Sequence, residues 1–144
     1  MIEYAEDKDA MAIAKKLIKL HEGLRLKPYE CLAGYLTIGY GRNIQLNGIT
    51  INEAEMLLDN DIERVVKELE KWLTVFKELS DNRKAALIDM SYNLGFNKLF
   101  QFRKFLAALQ KQDFEEAAKE MLDSKWAAQV GNRATVLANM IKEG

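Results

Sequence analysis

Hydrophobic residues recur every three or four positions along most of this 144-residue chain, and polar residues fill the positions between them. This spacing puts apolar side chains on one face of an α-helix, so it predicts a mostly helical protein. The first helix is expected to have Asp9 as its N-cap and to end at Gly23. A second, long helix should open at the capping box Thr50–Glu53 and continue to about Trp72.

Five or six helices joined by short connections are predicted after residue 50, which is typical of an all-helical lobe. Ser80 or Asp81 is expected to cap the helix that follows the long one, and Gly131-Asn132 should open the last helix. Trp72 and Trp126 fall at apolar helical positions, and we expect both indoles to belong to the hydrophobic core.

The helical period is lost between residues 24 and 48. Most of this region lies in the irregular segment His21–Asn43, which holds the only histidine, the only proline and the only cysteine of the chain. Tyr35–Tyr40 is rich in β-forming residues and is bracketed by Gly34 and Gly41, and a turn is expected at Asn47-Gly48. A small sheet of two or three strands follows from this pattern. The predicted fold class is therefore α+β and mostly helical.

Composition narrows the class of protein further. The chain carries 21 Lys and Arg against 22 Asp and Glu, a net charge of −1 that creates no strong field for a nucleic acid or a membrane surface. A single cysteine forbids an internal disulfide. No apolar run approaches the ~18 residues of a spanning helix, and the charged N-terminal segment is not expected to be a signal peptide. The length suits one domain.

The candidate chemistry lies in the irregular segment, where Glu22, Cys31 and Thr37 follow one another at short spacing. A helix that ends beside a small sheet can bring these three residues to one site. They supply a carboxylic acid, a soft nucleophile or base, and a hydroxyl that can hold a water. Glu22 continues an apolar stripe at a helix C-terminus, so desolvation and the helix dipole should both raise its pKa, as a general acid requires.

The chain resembles the phage lysozyme family, glycoside hydrolase family twenty-four. The resemblance rests on the Glu-(eight)-Cys-(five)-Thr spacing and on the run Thr37–Gly41, and it continues in order through Ala86–Met90, Asn93–Gly95, Phe114–Ala118, Ser124–Trp126 and Asn132–Ala134. One departure is Arg42, which stands where the family usually has histidine.

The resemblance implies a muramidase that hydrolyses the β-1,4 bond between N-acetylmuramic acid and N-acetylglucosamine in bacterial peptidoglycan. It also implies a small β lobe of about residues 24–50 and a helical lobe of about 1–23 and 51–144, facing each other across a cleft and joined by the long helix. No cofactor or metal is expected, since one histidine and one cysteine are too few to hold a metal ion.

Site residues are carried over from the family motif position by position. Glu22 matches the general acid that protonates the leaving oxygen, and Thr37 matches the threonine that helps to place the hydrolytic water. Cys31 occupies the position that is usually aspartate but can be cysteine. Arg133 matches an arginine that pairs with the catalytic glutamate, and Tyr92 matches an aromatic residue that lines the sugar cleft. We also expect Asn43 to bind substrate.

Three roles for Cys31 remain open on the sequence. It can be a thiolate nucleophile, a weak base for the attacking water, or a neutral group that shapes the pocket. An ordinary thiol with a pKa of about 8.5 is only ~3% ionised at pH 7. We favour an inverting reaction in which Cys31 and Thr37 position the water, because the family architecture leaves room for one between the catalytic groups.

Two other functions are compatible with the same residues. A lytic transglycosylase would use Glu22 and a hydroxyl of the sugar itself, and a non-catalytic descendant would only bind the wall. The family resemblance further implies a monomer without stable membrane association, which accumulates in the host cytoplasm and reaches the cell wall after release through a separate pore-forming protein.

Overall fold

The computed structural model describes residues 7–144, and these divide into two compact units. The first unit reaches to Ala54 and the second is formed by Glu55–Gly144. Helices dominate the described residues, and a three-stranded antiparallel sheet lies in the first unit. The predicted α+β, mostly helical class is therefore confirmed.

Helix α1 of the first unit spans Lys8–Glu22. Its N-cap is Asp7 rather than Asp9, so the prediction of the capping residue was wrong by two positions. Asp9 lies in the first turn, where a carboxylate interacts favourably with the positive end of the helix dipole. The predicted stop at Gly23 is confirmed, because the Gly23 backbone takes a positive φ of 69° and its N–H donates to the Lys19 carbonyl.

The sheet is formed by strands β1 (Arg25–Glu30), β2 (Leu36–Gly39) and β3 (Arg42–Asn43), which pair in this order. A five-residue loop joins β1 to β2, and a two-residue turn joins β2 to β3. Residues Ile44–Asn47 then form a single helical turn, α2, which periodicity did not reveal because one turn is too short to show a period. Gly48 ends it with a φ of 60°.

Helix α3 covers Ile51–Trp72, as the capping box predicted. The Glu53 N–H donates to Thr50 Oγ1 at 3.1 Å, and the Thr50 N–H donates to Glu53 Oε1 at 2.8 Å. Arg42 adds a third contact, since its Nη1 lies 2.7 Å from the same Glu53 oxygen and 3.1 Å from the Gly48 carbonyl oxygen. The hydrogen bond from the Thr50 backbone, reinforced by Arg42, lowers the pKa of the Glu53 carboxyl.

The second unit is helical throughout its regular structure. After α3 and one 3₁₀ turn at Phe76–Glu78, its helices are α4 (Asp81–Leu94), α5 (Phe96–Leu99), α6 (Arg103–Gln110), α7 (Phe114–Leu122), α8 (Lys125–Val130) and α9 (Asn132–Glu143). Ser80 caps α4 and Ser124 caps α8 through their side-chain oxygens. The predicted order of helices is confirmed, and residues 96–101, where the sequence predicts a short turn, contain the single helical turn α5.

One hydrophobic core fills the second unit, and its largest fully buried side chains come from α3 to α7 and α9. They are Leu69, Leu87, Met90, Leu99, Phe105, Leu109, Met121 and Ile141. Trp126 belongs to this core as predicted, with 4% of its surface exposed and its indole N–H donated to Asn93 Oδ1 at 2.7 Å. No helix of residues 7–144 combines the length and the apolar character needed to cross a membrane.

The prediction for Trp72 was wrong, because 54% of its surface is exposed. Trp72 is the last residue of α3, and its indole lines a surface groove together with charged residues of the same helix. The Lys71 ammonium lies 5.0 Å from the indole ring centroid. An ammonium over the ring face is an attractive cation–π arrangement that does not require burial.

Candidate active site

Glu22 is the last residue of α1, and Gly23 turns the chain away from the helix directly after it. The Glu22 carboxylate lies against the Cα of Gly41, in the turn between β2 and β3. Local sequence explains both ends of this contact, since one glycine ends the helix and another leaves the turn without a side chain. The predicted acid is thus held at the edge of the sheet.

Cys31 follows β1 and opens the loop that leads to β2. Its N–H donates to the Tyr35 carbonyl at 3.0 Å, and its own carbonyl accepts from the Gly34 N–H at 2.8 Å. The thiol lies inside this tight loop, and hydrogen bonds from the Tyr35 and Ala33 backbones are the main reason that its pKa is lowered. Partial burial opposes this effect, and the Thr37 hydroxyl and the Gly34 backbone support it. The loop therefore favours the thiolate.

Thr37 lies in β2 with only 3% of its surface exposed. Its Oγ1 donates to the Tyr35 carbonyl oxygen at 2.9 Å. The same hydroxyl lies close enough to the Cys31 thiol to help lower the pKa of that thiol. Across the sheet Thr37 is paired with Tyr29 on one side and with Asn43 on the other. The structure thus brings Cys31 and Thr37 together, as their spacing predicted.

Asn43 ends β3 and serves as the N-cap of α2, where its Oδ1 accepts the Leu46 N–H at 3.0 Å. This hydrogen bond fixes the side chain next to Thr37 and commits its carbonyl oxygen to the cap. The side-chain NH₂ group is the part of Asn43 that remains to bind a ligand. Arg42, which replaces the usual histidine, points its guanidinium toward Glu53 and thus serves the start of α3.

Tyr92 and Arg133 belong to the second unit, on α4 and α9. The exposed Tyr92 lines a pocket of about 430 Å³. Asp61, Arg64 and Glu68 give this pocket a charged wall. Ser91 lines it as well, with 2% of its surface exposed and no hydrogen-bond partner for its Oγ among the described residues.

Asp89 is a partner of Arg133 that the sequence did not reveal. Arg133 Nε and Nη2 lie 2.7 and 2.6 Å from Asp89 Oδ1, across the contact between α4 and α9. The two residues are 44 positions apart, and an acidic residue on a helix gives no local sign of such a partner. Both side chains are about 40% exposed, so this ion pair orients the guanidinium more than it stabilises the fold.

Within residues 7–144 no cluster of histidine, cysteine, aspartate and glutamate has the composition of a metal site. Around the small sheet the described residues bring a carboxylate, a thiol with a lowered pKa and a hydroxyl.

Comparison with known proteins gives a consistent result. The model of the phage lysozyme family matches residues 19–142. A probable T4-type lysozyme of Dictyostelium discoideum is 30% identical over 90% of this chain and 94% of its own length. An endolysin of Acyrthosiphon pisum secondary endosymbiont phage 1 is 37% identical over 88% of this chain and 86% of its own length.

A third relative is a much longer protein. The pre-baseplate central spike protein of Enterobacteria phage T4 is 29% identical over 96% of this chain, which covers only 29% of that longer protein. The chain therefore belongs to the phage lysozyme family, and it is a glycoside hydrolase of the lysozyme class that acts on peptidoglycan.

Proposed function

We propose that this lysozyme is a muramidase that cleaves the β-1,4 bond between N-acetylmuramic acid and N-acetylglucosamine. The observation that carries the proposal is the arrangement in the first unit, where α1 ends in Glu22 against the β2–β3 turn and the Thr37 hydroxyl lies close enough to the Cys31 thiol to help lower its pKa. An acid and a group that can activate water, on either side of the scissile bond, are the combination that glycoside hydrolysis needs.

Glu22 acts as the general acid in this proposal. Its carboxyl proton passes to the glycosidic oxygen as the bond from that oxygen to the anomeric carbon breaks, which releases a neutral hydroxyl on the leaving sugar. Water attacks the anomeric carbon from the opposite face and gives its proton to the Cys31 thiolate. Exchange with solvent then restores the Glu22 acid and the thiolate.

Cys31 and Thr37 hold the attacking water. The lowered pKa of the thiol supports this role, because it raises the thiolate fraction at neutral pH. The buried Thr37 hydroxyl donates its proton to the Tyr35 carbonyl, so its oxygen can accept a hydrogen bond from the same water. Inversion follows from this arrangement. A covalent bond from Cys31 to the sugar would instead give retention, so NMR of the first-formed anomer separates these two roles of the thiol.

Tyr92, Asn43 and Arg133 are proposed to bind the sugar chain. The pocket beside Tyr92 supports this role, since an aromatic ring next to a hydroxyl and charged groups suits the mixed apolar and polar faces of a sugar. Replacing Tyr92 with Ala should raise KM with little change in kcat, while Tyr92→Phe keeps the ring. Equal KM values for the wild type and Tyr92→Ala would show that Tyr92 does not bind the sugar chain.

The test of the acid is Glu22→Gln, with Glu30→Gln as a matched control at an exposed glutamate of the same unit. We expect Glu22→Gln to abolish clearing of a peptidoglycan suspension and Glu30→Gln to keep it. Substantial clearing by Glu22→Gln would overturn the assignment. Mass spectrometry of the wild-type products decides the reaction: reducing ends support hydrolysis, anhydro sugars would show a lytic transglycosylase, and intact glycan would show a binding protein.

The test of the thiol compares two substitutions. Cys31→Asp should keep activity, whereas Cys31→Ala should lower it by roughly 100-fold or more, the usual effect of removing a positioned base. Complete alkylation of Cys31 by iodoacetamide, verified by mass, should also inactivate the enzyme. Full activity after complete alkylation would exclude every direct role of the thiol.

We further propose that the protein acts as a monomer on the cell wall after release from the host cytoplasm through a separate pore-forming protein. The endolysin among its relatives supports this setting. Expression with and without a pore-forming protein tests it, since lysis should require both proteins.

A further inference from the structure

We infer that Gly41 is a positioning residue for Glu22: the carboxylate can occupy its place only because position 41 has no side chain. The inference rests on the proposed function, in which Glu22 is the acid. An ideal Cβ built on Gly41 would lie 2.5 Å from Glu22 Oε2, 2.8 Å from Cδ and 3.1 Å from Cγ. The outer half of the Glu22 side chain therefore lies directly on the backbone of the β2–β3 turn.

The neighbouring glycine shows that this contact is separate from backbone conformation. Gly39 and Gly41 both have positive φ, 70° and 77°, so both positions strain any residue with a Cβ to a similar degree. A Cβ on Gly39, however, would meet no atom within 4 Å. Backbone conformation alone explains why residue 39 is glycine. At position 41 glycine is required for two reasons, the backbone conformation and the space that the Glu22 carboxylate occupies.

The overlap falls on the far end of a flexible side chain, and this decides what a substitution changes. Rotation about the Glu22 side-chain bonds relieves the clash without movement of the sheet or of α1. Gly41→Ala should therefore destabilise the fold only through the strain of a Cβ at positive φ, as Gly39→Ala should. The carboxyl group leaves its place, however, and an acid must lie about 2.6–3.2 Å from the oxygen that it protonates.

Displacement of a catalytic group by about 1 Å costs roughly 100-fold in rate. The loss should appear in kcat, because Glu22 gives its proton in the chemical step, and KM should change by less than about threefold, since Gly41→Ala leaves the proposed sugar-binding residues Asn43, Tyr92 and Arg133 in place. A defect of folding alone would instead lower the active fraction and leave the pH profile of the remaining enzyme unchanged.

The experiment compares Gly41→Ala with the matched control Gly39→Ala in the full chain. Urea midpoints should fall by similar amounts in both variants. On soluble peptidoglycan fragments, kcat should fall about 100-fold for Gly41→Ala and stay within threefold of wild type for Gly39→Ala. The pH profile of kcat should change only for Gly41→Ala, because only there does the acid enter a new environment. Equal kcat values for the two variants would overturn the inference.

Two further variants keep the result decisive. If Gly41→Ala does not fold, Gly41→Asn and Gly39→Asn repeat the comparison, because asparagine tolerates a left-handed backbone and carries the same Cβ. Glu22→Gln separates the two hypotheses. An active Glu22→Gln would refute the proposed function, whereas an inactive Glu22→Gln together with a fully active Gly41→Ala would refute only the role of Gly41.

Discussion

Arg83 offers a stability prediction whose size can be worked out from its contacts. It lies in the first turn of α4, and its guanidinium reaches the carboxyl-terminal end of α9, the helix that carries Arg133. Nε donates to the Ile141 carbonyl at 2.7 Å, and Nη2 donates to the Lys142 carbonyl at 3.1 Å. The guanidinium carbon lies 3.5 Å from the ring centroid of Phe114.

Removal of this side chain by Arg83→Ala eliminates two hydrogen bonds, a favourable charge at a helix C-terminus and a cation–π contact. The partly buried hydrogen bond to Ile141 is charge-assisted and contributes about 1.5–2 kcal/mol. The exposed bond to Lys142 and the favourable charge at a helix C-terminus add about 0.3–1 kcal/mol. The cation–π contact with Phe114 adds about 0.5–1 kcal/mol. We therefore expect a loss of about 2–4 kcal/mol, or a fall in Tm of roughly 6–15 °C.

The assay is urea unfolding followed by tryptophan fluorescence. Both tryptophans, Trp72 and Trp126, belong to the second unit, so the signal reports the unit that contains Arg83. Arg83→Lys should recover part of the loss, since it keeps the charge but not the planar donor pair. Lys84→Ala is the matched control, because within residues 7–144 its ammonium makes only a distant contact, 5.8 Å from the Phe76 ring centroid.

A loss below about 0.5 kcal/mol for Arg83→Ala, the range of ordinary surface substitutions, would refute this reasoning. It would mean that water replaces the guanidinium at the last carbonyls of α9 without cost. If Arg83→Ala and Lys84→Ala lost the same free energy of unfolding, the conclusion would be the same. The contacts of Arg83 with α9 and Phe114 would then contribute nothing beyond the removal of one surface charge.

Four further predictions concern other parts of the chain. Thr50→Ala should lower the free energy of unfolding in urea by about 1 kcal/mol, because it removes the α3 cap. Folding lowers the pKa of Glu53, so wild type should be more stable than Glu53→Gln at neutral pH. This difference in stability should vanish as the pH falls through the folded-state pKa of Glu53. Alkylation of Cys31 should reach its half-maximal rate at a lower pH in the native protein than in urea, and coincident midpoints would contradict the lowered pKa of the thiol. Asn93→Leu should destabilise the protein by about 1–3 kcal/mol in urea, because the buried Trp126 N–H loses its acceptor, and an unchanged midpoint would show that another group accepts it.

Local sequence determined most of the secondary structure. The stop of α1 at Gly23, the Thr50–Glu53 capping box and the Ser80 cap of α4 each depend on residues within four positions of one another, so they could be predicted without the fold. The errors at Asp9 and at α2 are also local. A helix with several acidic residues near its start has more than one possible cap, and a single turn shows no period.

Spacing and family resemblance likewise placed Cys31 and Thr37 at one site, because a short loop between paired strands leaves little freedom in their separation. Only the tertiary structure decided that Arg133 is held by Asp89, that Trp72 is exposed while Trp126 is buried, and that Gly41 makes room for Glu22. These contacts join residues 19 to 44 positions apart, or depend on which face of a helix meets the core. Periodicity predicts that a helix has an apolar face. Which residues contact that face depends on how all the helices and strands pack together.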